Sequence, residues 1–235
     1  MKTANQIRSE LDKNYFLFYN INHLLIKIDK NLPVQSHTNM LLNSENLKGN
    51  VLFIGSGFCE EAILMKLKYP NLNITCFEGS ILINKIAKAL IENAGVKIGL
   101  YNFIVEEYPI FNIKFDCVII NHVLEHIEDI DELMEYSLSI LKDDGTIFMA
   151  LPYGCYHFSK EHKHFFIVND KRYENENRKL KGIKNVVNME TFLEKHGLKY
   201  EITVFNEETF GLSHKDYKHS PNKEQLDFYI EAKKC

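Results

Sequence analysis

The residues of this chain that could do chemistry fall into two groups. The first is Gly55-Ser56-Gly57 with Glu78 further along. The apolar run Val51-Leu52-Phe53-Ile54 precedes the glycines, and a segment of helical character, Glu60 to Lys68, follows them. Such a run is too short for a helix and is typical of a strand buried on both faces. A buried strand, a Gly-x-Gly turn and a helix make a ligand-binding unit. Glycine adopts backbone angles that other residues avoid and places no side chain between backbone and ligand. The helix start adds N–H groups that have no partner within the helix. A second strand, Asn73 to Phe77, ends in Glu78. A carboxylate there, about 20 residues past the turn, is placed to accept hydrogen bonds from a ribose diol. The series suits an adenosine-type ligand. A dinucleotide fingerprint would add a third glycine, and position 59 is Cys59.

The second group is Gly154–Phe166, GCYHFSKEHKHFF, with His157, His162, His164, Lys160 and Lys163. Histidine titrates near neutral pH, so this loop offers a general base or a binding place for an anionic group. His162 and His164 are favoured as base, with no ground for choosing between them. A third stretch, NHVLEHIED at Asn121–Asp129, sets His122 and His126 four apart. That spacing also occurs in helical metal pairs, but no metal site is expected in either stretch.

These residues need elements to position them. From Asn50 the chain alternates strand and helix: strands at 50–54, 73–77, 100–105, 115–120 and 146–151, helices at 59–68, 80–93 and 130–142. Gly95 ends the second helix, as a C-terminal glycine does. Alternating buried strands and helices predict a parallel sheet covered on both faces. Ligands then sit at the carboxyl ends of the strands, near the topological switch point. With the first strand central, Gly55, Glu78, Glu106 or Glu107, and Asn121 should converge on one edge. Residues 167–186 are polar and read as a loop or lid. A helix at 188–197 and strands at 198–205 and 226–232 follow.

The bounds agree with a globular enzyme. The 235 residues are 45% hydrophobic and 12% aromatic, enough for a sizeable core. The net charge of −4 argues against a nucleic-acid scaffold. No run reaches the ~18–20 apolar residues of a membrane span. The N-terminal stretch lacks an apolar signal core, and the five cysteines show no C-x-x-C pair. A cytoplasmic protein with reduced core thiols is expected. Residues 1–48 read as an N-terminal helical cap, part of it amphipathic, and 49–235 as one domain.

The segment Phe115–Pro152, FDCVIINHVLEHIEDIDELMEYSLSILKDDGTIFMALP, resembles the corresponding region of class I S-adenosylmethionine-dependent methyltransferases of the small-molecule type. The likeness is to the family that includes ubiquinone-biosynthesis and glycan O-methyltransferases, over residues 50–152. It rests on the FDxV strand, the HVLEH turn, the L-K-x-G-G-like turn (here with Asp144 in place of one glycine) and the apolar strand ending at a proline.

The resemblance implies a Rossmann-like three-layer sandwich. Its seven-stranded, mostly parallel sheet ends in an antiparallel C-terminal pair. It implies S-adenosylmethionine as cofactor, with Gly55 and Gly57 against its methionine part, Glu78 on the ribose, Glu106 near the adenine amino group, and Asn121 and His122 near the methyl group. Two positions depart from the pattern: the acidic residue of the first strand motif is Phe53, and the third glycine is Cys59. The first departure removes a carboxylate that helps fix the loop and the cofactor's amino end.

The expected reaction is O-methylation of a small polar acceptor, a sugar, nucleotide-linked or phosphorylated metabolite, with surface-glycan biosynthesis as an associated setting. The expected partners are that small molecule and at most a second copy of the chain, as monomer or homodimer, with no nucleic acid and no membrane insertion. Two other readings use the same unit. A dehydrogenase would want the full glycine fingerprint, and a non-catalytic binding protein or complex subunit would follow from the two departures.

Overall fold

A computed structural model describes residues 36–104, 107–124, 127, 129–152, 165–168, 171–174, 186–206 and 226–235. In chain order the elements are α1 (Ser36–Asn43), β1 (Asn50–Ile54), α2 (Glu60–Lys68), β2 (Asn73–Phe77), α3 (Ile81–Ala94), β3 (Gly99–Tyr101), β4 (Phe115–Asn121), α4 (Ile130–Ile140), β5 (Leu141–Pro152), β6 (Phe165–Val168), β7 (Lys171–Glu174), α5 (Val186–Lys195), β8 (Leu198–Asn206) and β9 (Leu226–Lys234).

Seven strands form one sheet in the order β3-β2-β1-β4-β5-β9-β8. Strands β1 to β5 run parallel, and β9 pairs antiparallel with both β5 and β8. The order reverses between β1 and β4, which is the switch point. Side chains alternate across the strands, and the burial follows. Val51, Phe53, Ile74, Cys76, Cys117, Ile119 and Phe148 share one core with Leu41 of α1, Ile63 and Met65 of α2, and Ile86 and Leu90 of α3. Leu52, Ile54, Phe77, Val118, Ile120, Ile147 and Met149 share the other with Leu133 and Met134 of α4 and Met189 and Leu193 of α5. The three-layer architecture predicted from the sequence is therefore present. The apolar runs of β1 and β4 have no polar face because helices cover both sides.

Local signals set the helix ends. Ser80 Oγ accepts from the Ile83 N–H at the start of α3, and Gly95 closes that helix in the left-handed conformation. Asp129 caps α4 by accepting from the Glu132 N–H at 3.0 Å.

Three expectations are corrected. Strand three stops at Tyr101, well short of 105. Asn102 turns the chain there, its Nδ2 donating to the carbonyls of Glu78 (2.8 Å) and Gly79 (3.0 Å). The fourth helix ends at Ile140, before 142, and Leu141 already pairs with Phe115. Lys142–Gly145 then bulges out, because Cys117 pairs next with Thr146. Finally, the stretch assigned to a loop or lid contains β7 and the second half of β6. Phe165–Val168 and Lys171–Glu174 form an antiparallel ribbon in which Phe166 faces Tyr173 in register.

Candidate active site

Register brings the glycine loop between two polar residues. Ile54 pairs with Phe77, and Phe53 with Ile119. One step beyond the first pair, and two beyond the second, Gly55 stands between Glu78 at the tip of β2 and Asn121 at the tip of β4. Gly55, Glu78 and Asn121 therefore meet on one edge, as expected.

The loop needs its glycines. Gly55 has φ +67°, and a Cβ there would meet Val123 Cγ2 at 2.5 Å. Gly57 has φ +54° and nothing within 4 Å of where a Cβ would lie. Its backbone is thus open to an incoming molecule. Cys59, at the third-glycine position, also adopts a left-handed angle, φ 59°, as N-cap of α2. Its thiol turns into the core, 3.3 Å from Ser56 Oγ, and is buried. The side chain is therefore taken up beneath the loop.

Glu78 braces this loop. Oε2 accepts from the Gly57 N–H at 2.9 Å, and Oε1 from the Ser80 N–H at 2.8 Å. Burial pushes its carboxyl above the ordinary value, and the N–H groups of Ser80, Gly57 and Gly79 offset this only in part. Each oxygen keeps acceptor capacity beyond its one backbone bond.

A second carboxylate, Glu61, lies on the other side of Gly55. The sequence shows it only as one more residue of a helix. Oε1 accepts from Thr38 Oγ1 at 2.6 Å and lies 3.2 Å from His37 Nε2. Oε2 accepts from Asn121 Nδ2 at 2.9 Å. Burial alone would raise its carboxyl, but His37, Thr38 and Asn121 outweigh burial and hold it at about 2. Glu61 is therefore a fixed anion at neutral pH. Two polar atoms of this cluster are buried without a partner: His37 Nδ1 and Asn121 Oδ1.

His122 follows Asn121 with φ 53°. A non-glycine residue in that region costs about 1–3 kcal/mol and persists only where its surroundings impose it. Here the His122 N–H donates to the Ala150 carbonyl at 2.7 Å. Its ring stands edge-on to His37, centroids 4.9 Å apart.

The remaining expected residues fare differently. Glu106, His126, His157, His162 and His164 lie outside the described residues. Glu107 is exposed, in a turn where its N–H donates to the Ile104 carbonyl. The sequence reading missed Glu61, His37 and Thr38. Their pairing spans more than twenty residues, and nothing in the local pattern of α1 or α2 marks it.

The chain matches the methyltransferase-domain family over residues 28–201 and belongs to that family, the class of S-adenosylmethionine-dependent methyltransferases. Solved structures agree on the fold. An S-adenosylmethionine-dependent methyltransferase from Clostridium acetobutylicum is 14% identical, covering 93% of this chain and 100% of its own, with a TM-score of 0.59. DhpI in complex with SAH is 13% identical, covering 98% and 94%, with a TM-score of 0.60. The plantazolicin methyltransferase BpumL, with SAH and a triazolic desmethylPZN analog, is 14% identical, covering 86% and 82%, with a TM-score of 0.55. No curated protein matches the sequence.

The residues present fit S-adenosylmethionine. An open glycine loop, a carboxylate with spare acceptor capacity beside it, and an unpartnered buried acceptor match a ligand rich in hydroxyl and N–H donors. Among the described residues no helix is long and apolar enough to cross a membrane.

Proposed function

We propose that this chain methylates an oxygen of a small polar acceptor, a sugar, nucleotide-linked or phosphorylated metabolite, in a setting such as surface-glycan assembly. Gly55 and Gly57 bring backbone to the cofactor. Glu78 takes the ribose hydroxyls, Glu106 the adenine amino group, and Asn121 and His122 flank the reacting end. Residues 1–48 act as a cap. Its described part supports this: α1 buries Leu41 and Leu42 in the core, and His37 and Thr38 reach Glu61.

The observation that carries the acceptor reading is the course of β5. It runs parallel to β4 with Ala150 level with Asn121, and it ends at Pro152. The chain that follows, with His157, His162 and His164, therefore starts from the same edge as the cofactor residues. S-adenosylmethionine, when bound, supplies a methyl group already activated by its sulfonium. The protein must hold the acceptor oxygen in line with it. For a hydroxyl acceptor, His162 or His164 removes the proton. For an ionised phosphate or carboxylate oxygen, the same basic loop positions the anion and no base is needed.

Calorimetric titration with S-adenosylmethionine, S-adenosylhomocysteine and NAD tests the cofactor part. Micromolar binding of both sulfur ligands and none of NAD is expected, and binding of NAD alone would overturn it. Acceptor screening with sugars and phosphorylated metabolites tests the rest. Loss of a general base lowers turnover by about 10²–10⁴-fold. If His162→Ala and His164→Ala both retain full kcat on a hydroxyl acceptor, the base assignment is wrong.

A further inference from the structure

The Glu61 cluster holds acceptor capacity that its own donors leave unfilled. Glu61 already takes three hydrogen bonds, from Thr38, His37 and Asn121, and its Oε2 retains room for another. Because Asn121 spends an Nδ2 hydrogen on Glu61, its amide is oriented with Oδ1 turned elsewhere, and that oxygen is buried with no partner. His37 Nε2 lies 3.2 Å from the same carboxylate, so its Nδ1, on the far side of the ring, faces away from Glu61; that atom too is buried with no partner. An unsatisfied buried polar atom is costly, and Asn121 Oδ1 belongs to an amide already bonded to an ionised carboxylate. Glu61 Oε2 and Asn121 Oδ1 can accept two of the three N–H bonds of a primary ammonium, and the fixed negative charge matches its positive one. A hydroxyl, with a single donor, would satisfy only one of these two acceptors.

We propose that Glu61 and Asn121, with His37 and Thr38 holding the carboxylate in place, form an ammonium site for the amino-acid end of the cofactor. This rests on the methyltransferase reading above. Glu78, on the β2 side of Gly55, takes the nucleoside half, so the other half must extend past Gly55 towards β4, where Asn121 and Glu61 stand. Position 53 in β1, where the family carries an acidic residue, is here a buried phenylalanine. The carboxylate has moved from the strand to the first turn of α2. His37 and Thr38 of α1 hold it ionised there, which ties the segment before β1 to cofactor binding.

The test is a calorimetric cycle on the full chain with three ligands: S-adenosylhomocysteine, its deamino analogue, and 5′-methylthioadenosine, which has no amino-acid tail. Hydrogen bonds to charged groups correspond to roughly 10- to 100-fold in affinity. The wild-type protein is expected to bind S-adenosylhomocysteine at least ~10-fold more tightly than the deamino analogue. In Glu61→Gln that preference should collapse to within about twofold, with 5′-methylthioadenosine affinity unchanged. The unchanged third ligand shows that the variant is folded. Thr38→Val, which removes one donor to Glu61 but neither of the two acceptors, should retain the preference. An undiminished preference in Glu61→Gln overturns the proposal, and so does an equal loss for all three ligands. Wild-type protein that binds none of the three overturns the methyltransferase reading, and this site with it.

Discussion

Two carboxylates flank Gly55, and the same fold treats them in opposite ways. Glu78 at the tip of β2 is braced only by backbone N–H groups, and burial leaves its carboxyl raised. Glu61, in the first turn of α2, is equally removed from water, yet it is driven down to about 2. The difference lies in the donors. Peptide N–H groups are neutral, and one of those on Glu78, that of Gly57, belongs to the glycine loop itself. Glu61 has three side chains from two other elements aimed at it, one of them an imidazole. Burial therefore does not decide whether a carboxylate is charged; the number and kind of donors brought to it do. A carboxylate held only by neutral N–H groups suits neutral hydroxyl partners. A fixed anion suits a cation.

The strongest way to break this pairing is to move the residue between them. Gly55→Ala forces a Cβ to within 2.5 Å of Val123 at a φ of +67°. The expected cost is about 2–4 kcal/mol of stability, together with loss of measurable cofactor binding. Urea denaturation and calorimetry check it, and a fully stable, fully binding variant would mean the loop shifts freely.

Next in size is Glu61→Gln, which removes the charge from three donors and should cost about 2–3 kcal/mol at pH 7. The pH dependence separates the two carboxylates. The folded value of Glu61 lies below its ordinary 4.5, so its contribution is complete above that value and fades as pH falls towards 2. The gap between wild type and Glu61→Gln should be flat above pH ~5 and shrink by roughly 3 kcal/mol on acidification. A gap that is constant over the whole range would contradict the donor arrangement around Glu61 described here.

Glu78 has the reverse sign. Its folded value is raised, so ionisation opposes folding, and the penalty is relieved as pH falls through that raised value. Glu78→Gln should therefore match or slightly exceed wild-type stability at pH 7, within about 1 kcal/mol, and the excess should vanish in acid. A clear loss of stability in this variant would show that the brace on Gly57 matters more than the burial.

The smallest effect sharpens the role of the turn after β3. Asn102→Ala frees the Glu78 and Gly79 carbonyls from their side-chain donor, at an exposed site. A loss of about 0.5–1.5 kcal/mol is expected, with weaker adenosine binding and no change in the preference for the amino-acid tail.

The sequence by itself determined the sheet and the placement of half of the candidate site. Val51–Ile54 and Phe115–Ile120 are apolar throughout because both of their faces are covered, and such runs are legible without coordinates. Gly55, Gly57 and Glu78 were equally legible, since a turn and the tip of the next strand are local features. Only the tertiary structure decided the other half. Glu61 meets Thr38 across 23 residues and Asn121 across 60, and no periodicity encodes which helix residue will face which strand tip. The end of β3 at Tyr101 depended on Asn102 reaching back to carbonyls 23 and 24 residues earlier. The ribbon of β6 and β7 was hidden because cross-strand pairing outweighed a polar composition. Local pattern sets which elements form; the charge state of a buried group depends on neighbours that only the folded chain assembles.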